Sequence, residues 1–332
     1  MRVVIYISLL LICFNKVFAQ QIPVFSNIGI NNYILNPAHA GAKPYLVINL
    51  KQRLQYTGIQ YAPNTQYLDL HTSVSNKNFG LGGYIYHETL GVLGKIHGNV
   101  TYAYHIPLGN ENKLSFGVSA KINQNRTLSN RMILDSQNDV LLNLQTNQRK
   151  TFFGSDAGIL LHGENYKLGF SVLNLYSTKY DLYNGDKLDA TPHFNLEYGF
   201  GIYLGGESKL MFSGRNVFHN SLPTWSQMDV LYDYNQQFFA GLGYRWQDAA
   251  IIMVGANVWK DLQVYYAYDL GVSKVRNIRN GSHEITLRYH FHYDPIYSRD
   301  KARYSNKVYR GWKFSFKRKP TIATPTEGES ND

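Results

Sequence analysis

The sequence predicts an all-β protein: a closed antiparallel barrel of about fourteen strands that spans an outer membrane. Three observations carry this expectation. Between Tyr45 and Phe291, segments of roughly ten residues alternate apolar and polar side chains and are separated by Gly/Asn/Asp turns. The composition joins 27 Tyr, 17 Phe and 28 Gly to a mildly polar mean hydropathy of −0.31. A thin apolar band with aromatic girdles around a polar interior averages to that mixture, whereas a bundle of membrane helices would be far more apolar. Third, short and long connections alternate along the chain.

The N-terminus comes first. The 332 residues contain no apolar run long enough for a spanning helix. Met1-Arg2, the apolar stretch Val3 to Phe14 and the small residue closing Val17-Phe18-Ala19 read as a secretory signal peptide, residues 1–19, cleaved after Ala19. The only cysteine, Cys13, lies within it, so the mature chain is expected to carry neither a disulfide nor a lipid anchor.

Residues 45–293 are expected to form the barrel. Ile96, Val100, Tyr102, Tyr104 and Ile106 share one face of a segment whose other face carries His97, Asn99, Thr101 and His105, and a period of two is a strand. The predicted strands are 45–56, 66–74, 79–87, 96–106, 114–122, 153–161 and 168–172, then 194–204, 210–217, 228–232, 238–246, 252–258, 262–272 and 285–291. In the first, Leu46, Ile48, Leu50 and Leu54 oppose Asn49, Lys51, Arg53 and Gln55. A Lys or Arg facing lipid at mid-depth costs ~2–4 kcal/mol, so Lys51 and Arg53 should face the lumen. Asp69, Lys121 and Arg245 are placed there by the same alternation.

Tight turns follow the even-numbered strands, as at Asn76-Lys77-Asn78, Gly109 to Asn112, Gly163-Glu164-Asn165, Gly205-Gly206-Glu207, Asn235-Gln236 and Lys260-Asp261. Longer loops are expected after most odd ones: 57–64, 88–95, 123–151, 175–191 and 275–282. Outer-membrane barrels have short periplasmic turns and long external loops, which would put both termini in the periplasm. After the last strand, residues 294–332 form a basic tail with a low-complexity end. Between Asp294 and Lys319, Arg299, Lys301, Arg303, Lys307, Arg310, Lys313, Lys317, Arg318 and Lys319 face only Asp294 and Asp300, against a formal net charge of +10 for the whole chain.

A series of short motifs runs along this framework: Gln21 to Ser26, Asn36-Pro37-Ala38-His39-Ala40-Gly41, Arg53-Leu54-Gln55-Tyr56, Ala62 to Gln66, Asn76 to Gly82 and Gly281 to Ile285. In order and spacing it resembles the PorP/SprF family of the Bacteroidetes type IX secretion system. Tyr56 stands where the family usually has Trp, and the basic tail exceeds the usual ending. The resemblance implies a FadL-like outer-membrane barrel that supports export or surface anchoring of large proteins, gliding adhesins included, bearing a type B C-terminal sorting domain. An Asn-Pro-Ala element also occurs in the N-terminal hatch of FadL-type barrels. Pro37 fixes its own φ and holds Asn36 extended, while Ala38, Ala40 and Gly41 permit close packing, so residues 20–44 are expected to plug the barrel. Asn36, Pro37, Ala38 and Gly41 are the candidate plug residues. Arg310, Trp312, Lys313, Lys317, Arg318 and Lys319 are candidates for binding periplasmic partners.

Chemistry of other kinds finds little support. His283, His290 and His292 lack a carboxylate or thiolate at ligand spacing, so no metal or other cofactor is expected. Gly80-Leu81-Gly82-Gly83 and Gly199-Phe200-Gly201 sit within strands and lack the strand–loop–helix setting of a phosphate cradle. Asp69, His71 and Ser73 are ~7 Å apart along one strand, too far for a hydrogen-bonded triad, and no enzyme is expected. No basic helix or aromatic RNA platform points to nucleic acid. The expected partners are outer-membrane lipid, other type IX components and an exported surface protein or its sorting domain. The alternatives are a FadL-like channel for hydrophobic small molecules and a scaffold without cargo contact.

Overall fold

The computed structural model describes residues 23–30, 32–74, 78–109, 111–131, 149–178, 180–181, 187–188, 191–205, 208–219, 224–272 and 280–291. The expected signal peptide with Cys13, the 294–332 tail and most of the 123–151 loop lie outside them.

Strands β1 (Leu46–Leu54), β2 (Asn64–Ser73), β3 (Phe79–Leu90), β4 (Leu93–Leu108), β5 (Asn112–Thr127), β6 (Arg149–His162) and β7 (Tyr166–Ser177) form the first half of a barrel. Strands β10 (His193–Gly205), β11 (Ser208–His219), β12 (Trp225–Tyr234), β13 (Phe238–Arg245), β14 (Ala249–Trp259), β15 (Leu262–Gly271) and β16 (Ser282–Phe291) complete it. Between the halves, the two-residue strands β8 (Tyr180–Asp181) and β9 (Lys187–Leu188) pair as a separate ribbon inside the expected 175–191 loop. Each barrel strand pairs antiparallel with its neighbours, and β1 closes the ring on β16 in a register that sets Leu46 opposite Phe291 and Leu54 opposite His283. Closure leaves no unpaired edge, which a lipid environment requires.

The alternation read from sequence sets the faces. Leu50, Leu68, Leu70, Val100, Leu242 and Ile285 point outward and are exposed, while Lys51, Arg53, Asp69, Lys121 and Arg245 point inward and are buried. Phe116, Phe200, Phe238 and Phe291 ring the outside near one rim, and Phe153, Tyr176, Tyr244 and Trp246 ring it near the other. His283 faces out, with its Nδ1 2.7 Å from the Tyr266 hydroxyl, whereas His290 faces in against Tyr45, so these two histidines cannot share a site.

Three expectations are corrected. The 88–95 stretch is no loop: Glu88 pairs with Lys95 and Leu90 with Leu93, leaving a Gly91-Val92 turn in which Gly91 adopts φ +56°. The ladder continues past the apolar band because backbone pairing needs no apolar side chain. At ~3.3 Å per residue, the 16-residue strands β4 and β5 run ~50 Å, far beyond an apolar band of ~25 Å. Second, the alternation of connections is incomplete, since β13 also reaches β14 through a tight turn at 246–248 on the rim expected to carry long loops. Third, the lumen is not simply polar. Tyr67, Tyr84, Tyr86 and Leu173 pack inside with Phe25, Tyr33, Ile34 and Leu35, and a second cluster joins Leu231, Phe239, Ile251, Met253 and Tyr265. Apolar inward residues are tolerated because something other than water covers them.

That cover is the N-terminal segment. Ser26 sits among groups near the long-connection rim, and the chain then runs through two single-turn 3-10 helices, Tyr33–Leu35 and Pro37–His39, to Gly41 at the short-connection rim, where β1 begins. Both β1 and β16 meet that short-connection rim with their free ends.

Candidate functional site

Two polar nodes and one glycine seat hold the segment within the lumen. In the first node, the Ser26 N–H donates to Glu284 Oε2 at 2.7 Å and its hydroxyl to Asp269 Oδ1 at 2.5 Å, while its carbonyl accepts from Gln227 Nε2 at 2.5 Å. Arg53 reaches the Ser26 hydroxyl, Asp269 (2.7 Å) and Glu284 (3.2 Å), and Arg245 adds a second contact to Asp269 at 3.1 Å. Lys51 lies 4.0 Å from Glu284, with its ammonium over the Phe25 ring. Alternating cations and carboxylates from β1, β13, β15 and β16 thus compensate one another, as buried charges must.

The second node converges on Glu197 of β10. Its carboxylate accepts from Asn32 Nδ2 at 2.6 Å, Asn36 Nδ2 at 2.9 Å and His39 Nε2 at 2.8 Å. Arg215 donates to the Asn32 side-chain oxygen Oδ1, and Ser171 donates to the Leu35 backbone carbonyl. Asn36 is extended (φ −144°, ψ 109°), as a residue before proline must be, and its Oδ1 caps the following turn by accepting from the Ala38 N–H at 3.0 Å. Pro37 occupies the first helical position, where its missing N–H leaves nothing unsatisfied.

Glycines in the wall make room for the segment's backbone. A Cβ at Gly117 would overlap the Pro37 carbonyl and the Ala38 N–H, one at Gly158 would overlap the Asn36 side chain, and one at Gly80 would overlap the Ala40 carbonyl and Gly41. Gly41 itself has φ +70°, a left-handed conformation that disfavours any other residue. The Gly80–Gly83 run therefore serves close approach by backbone and, at Gly82, by the Tyr33 hydroxyl. His105 Nε2 hydrogen-bonds the Ala40 carbonyl at 2.9 Å and completes the seat.

All four candidate plug residues, Asn36, Pro37, Ala38 and Gly41, are thus gathered at one seat, whereas Arg310, Trp312, Lys313, Lys317, Arg318 and Lys319 lie outside the described residues. Sequence reasoning missed Glu197, Arg215, Asp269, Glu284 and Ser26. Each carboxylate sits at an inward position of an alternating strand, which was the available signal, but its partner depends on register across the barrel. Below the seat, toward the short-connection rim, lies a cavity of about 360 Å³ rich in Lys, Arg and His.

Solved structures with a similar barrel include the toluene transporter TbuX of Ralstonia pickettii (12% identity, TM-score 0.47, 78% of this chain and 93% of that one). Omp33 of Acinetobacter baumannii (10%, TM-score 0.42, 76% and 100%) and a FadL homologue of Pseudomonas aeruginosa (12%, TM-score 0.40, 77% and 93%) are others. No curated protein matches the sequence. Residues 17–289 match the family described as type IX secretion system membrane protein PorP/SprF. The chain belongs to the PorP/SprF family and is an outer-membrane β-barrel of the type IX secretion system.

Proposed function

We propose that this barrel works without catalysis, as a membrane-embedded holder that binds an exported surface protein or its type B sorting domain and supports its export or anchoring. The short-connection rim faces the periplasm in this reading, and the long connections face outward. The observation that carries the proposal is the packing of the Asn36–Gly41 stretch, which is bonded to Glu197 and pressed onto Gly80, Gly117 and Gly158; we read this stretch as a plug. A plugged barrel with long connections on a rigid wall is suited to recognition. The loops expected at 123–151 and 175–191, narrowed by the observed strand ends to the 128–148 and 178–192 connections, are the external contact candidates. Arg310, Lys313, Lys317, Arg318 and Lys319 meet periplasmic machinery by charge steering, and Trp312 adds an aromatic contact.

The alternative, a channel for hydrophobic small molecules, calls for an apolar cavity behind the plug. The cavity found there mixes Ile30, Leu160, Met211 and Phe212 with Lys43, Lys167, Lys209 and Arg288, and four cations in the lining suit a hydrophobic solute poorly, which favours the holder. The deciding experiment is affinity purification of the tagged chain from outer membranes, with identification of what accompanies it. Recovery of a large surface protein bearing a type B sorting domain is the expected result. Reproducible recovery of the barrel alone, together with uptake of an apolar solute that depends on it, overturns the proposal.

A further inference from the structure

The cavity at the short-connection rim has a chemistry of its own. Its lining brings together Lys43, Lys167, Lys209, Arg288, His162 and His290 from the segment before β1 and from β6, β7, β11 and β16. Against them the lining holds one carboxylate, Glu164, whose Oε1 is engaged at the exposed side by the Tyr203 hydroxyl at 3.1 Å. Asp233 stands opposite Lys209 on β12, and Glu197 lies deeper, its two oxygens already occupied by Asn32, Asn36 and His39.

Positive charge is therefore in excess, and part of it is free. Lys209 bonds Asn165 Oδ1 at 2.8 Å, and Arg288 bonds Asn49 Oδ1 at 2.9 Å and the Ile30 carbonyl. No hydrogen bond or ion pair is found for the Lys43 or Lys167 ammonium among the described residues. The wall is shaped for these side chains. A Cβ on Gly199 would stand 3.0 Å from Lys167 Cε, and one on Gly201 would overlap the Lys209 stem, so the Gly199-Phe200-Gly201 run clears a floor along which both stems lie.

Unpaired ammonium groups in a partly enclosed space attract carboxylates, because charge-assisted hydrogen bonds strengthen away from bulk water. At about 360 Å³ the cavity accepts one or two acidic side chains, or a chain end, but no folded domain. It lies inside the barrel wall, so lipid headgroups do not reach it. We propose that the cavity binds the carboxylates of an extended acidic peptide entering from the short-connection rim. The inference rests on the proposed function only for the side of the membrane from which the peptide arrives.

The test uses the full chain folded in detergent micelles and a fluorescent Glu/Ser peptide with its Gln/Ser counterpart, read by anisotropy. The Glu/Ser peptide should bind and weaken with salt, and the Gln/Ser peptide should not bind. Lys43→Gln combined with Lys167→Gln should weaken binding by about tenfold or more, the loss expected for charge-assisted bonds. Lys150→Gln, at the opposite rim, should leave binding unchanged. Heat-modifiable electrophoretic mobility confirms that each variant is folded. Equal binding by the double variant, equal binding of both peptides, or an equal loss in Lys150→Gln overturns the proposal. So does binding of inorganic phosphate without binding of the peptide. A chain ending at Lys319 identifies the source of the acid. Tighter peptide binding there means that the chain's own Glu327, Glu329 and Asp332 compete, and unchanged binding means that the peptide comes from another protein. Peptide binding together with recovery of the barrel alone and barrel-dependent uptake of an apolar solute would sink the holder function and leave the site standing; a co-purifying surface protein without peptide binding would sink only the site.

Discussion

Replacing Glu197 by Gln should loosen the N-terminal segment without unfolding the barrel. The carboxylate takes three donors, from Asn32, Asn36 and His39, at 2.6, 2.9 and 2.8 Å. A charged acceptor contributes about 1.5–3 kcal/mol per hydrogen bond and a neutral one about 0.5–1.5 kcal/mol. Gln also turns an amide group toward donors that need an acceptor. Relief of the burial penalty of a carboxylate offsets part of this loss. The net cost to docking is about 2 kcal/mol, which raises the undocked population about thirtyfold. The chain has a single cysteine, Cys13, so Ile34→Cys in a Cys13→Ser background supplies one reporter thiol on a buried position of the segment. Maleimide labelling of that thiol reads the undocked population, and Glu197→Gln should speed it about thirtyfold relative to the same reporter with Glu197 intact. Labelling within about twofold of the parent would refute Glu197 as the fastener of the segment.

Gly117→Val should lower the temperature of the heat-modifiable transition, because its side chain must displace the Pro37–Ala38 backbone, at a cost of about 1–3 kcal/mol. Gly98→Ala, whose added Cβ meets its nearest neighbour at 3.7 Å, should be tolerated, and equal behaviour of the two would remove the glycine seat from the account. Leu242→Arg, outward on β13 between the aromatic belts, should cost about 2–4 kcal/mol of folding into bilayers, against about 0–1 kcal/mol for Leu108→Arg at the rim. Equal folding yields in lipid vesicles would contradict the placement of the apolar band.

Much of the architecture could be read along the chain because strand periodicity is local. Lys51 and Arg53 had to face inward, since Leu46, Ile48, Leu50 and Leu54 take the opposite parity, and no other part of the chain was needed to say so. Pro37 likewise dictated the extended Asn36. The limits had equally physical causes. Glu88 to Lys95 looked like a loop because apolar alternation stops there, but the ladder runs on through backbone groups that carry no sequence signal. Alternation alone turns Tyr67, Tyr84 and Tyr86 inward, but that they pack against Phe25, Tyr33 and Leu35 depends on the path of the N-terminal segment, which no local pattern carries. The Gly80–Gly83 and Gly199–Gly201 runs were visible as glycines, but not as a backbone seat or a lysine floor.

By itself, then, the sequence determined a closed antiparallel barrel, the face on which each strand residue lies and the family to which the chain belongs. These follow from a period of two, from the cost of charge against lipid and from short motifs in series. Only the tertiary structure decided that the Asn-Pro-Ala stretch is bonded to Glu197, that Ser26 is enclosed by Arg53, Asp269 and Glu284, and that free ammonium groups collect below them. These contacts join residues far apart in the chain, up to 258 positions for Ser26 and Glu284, and strand register and barrel closure alone bring them within hydrogen-bonding distance.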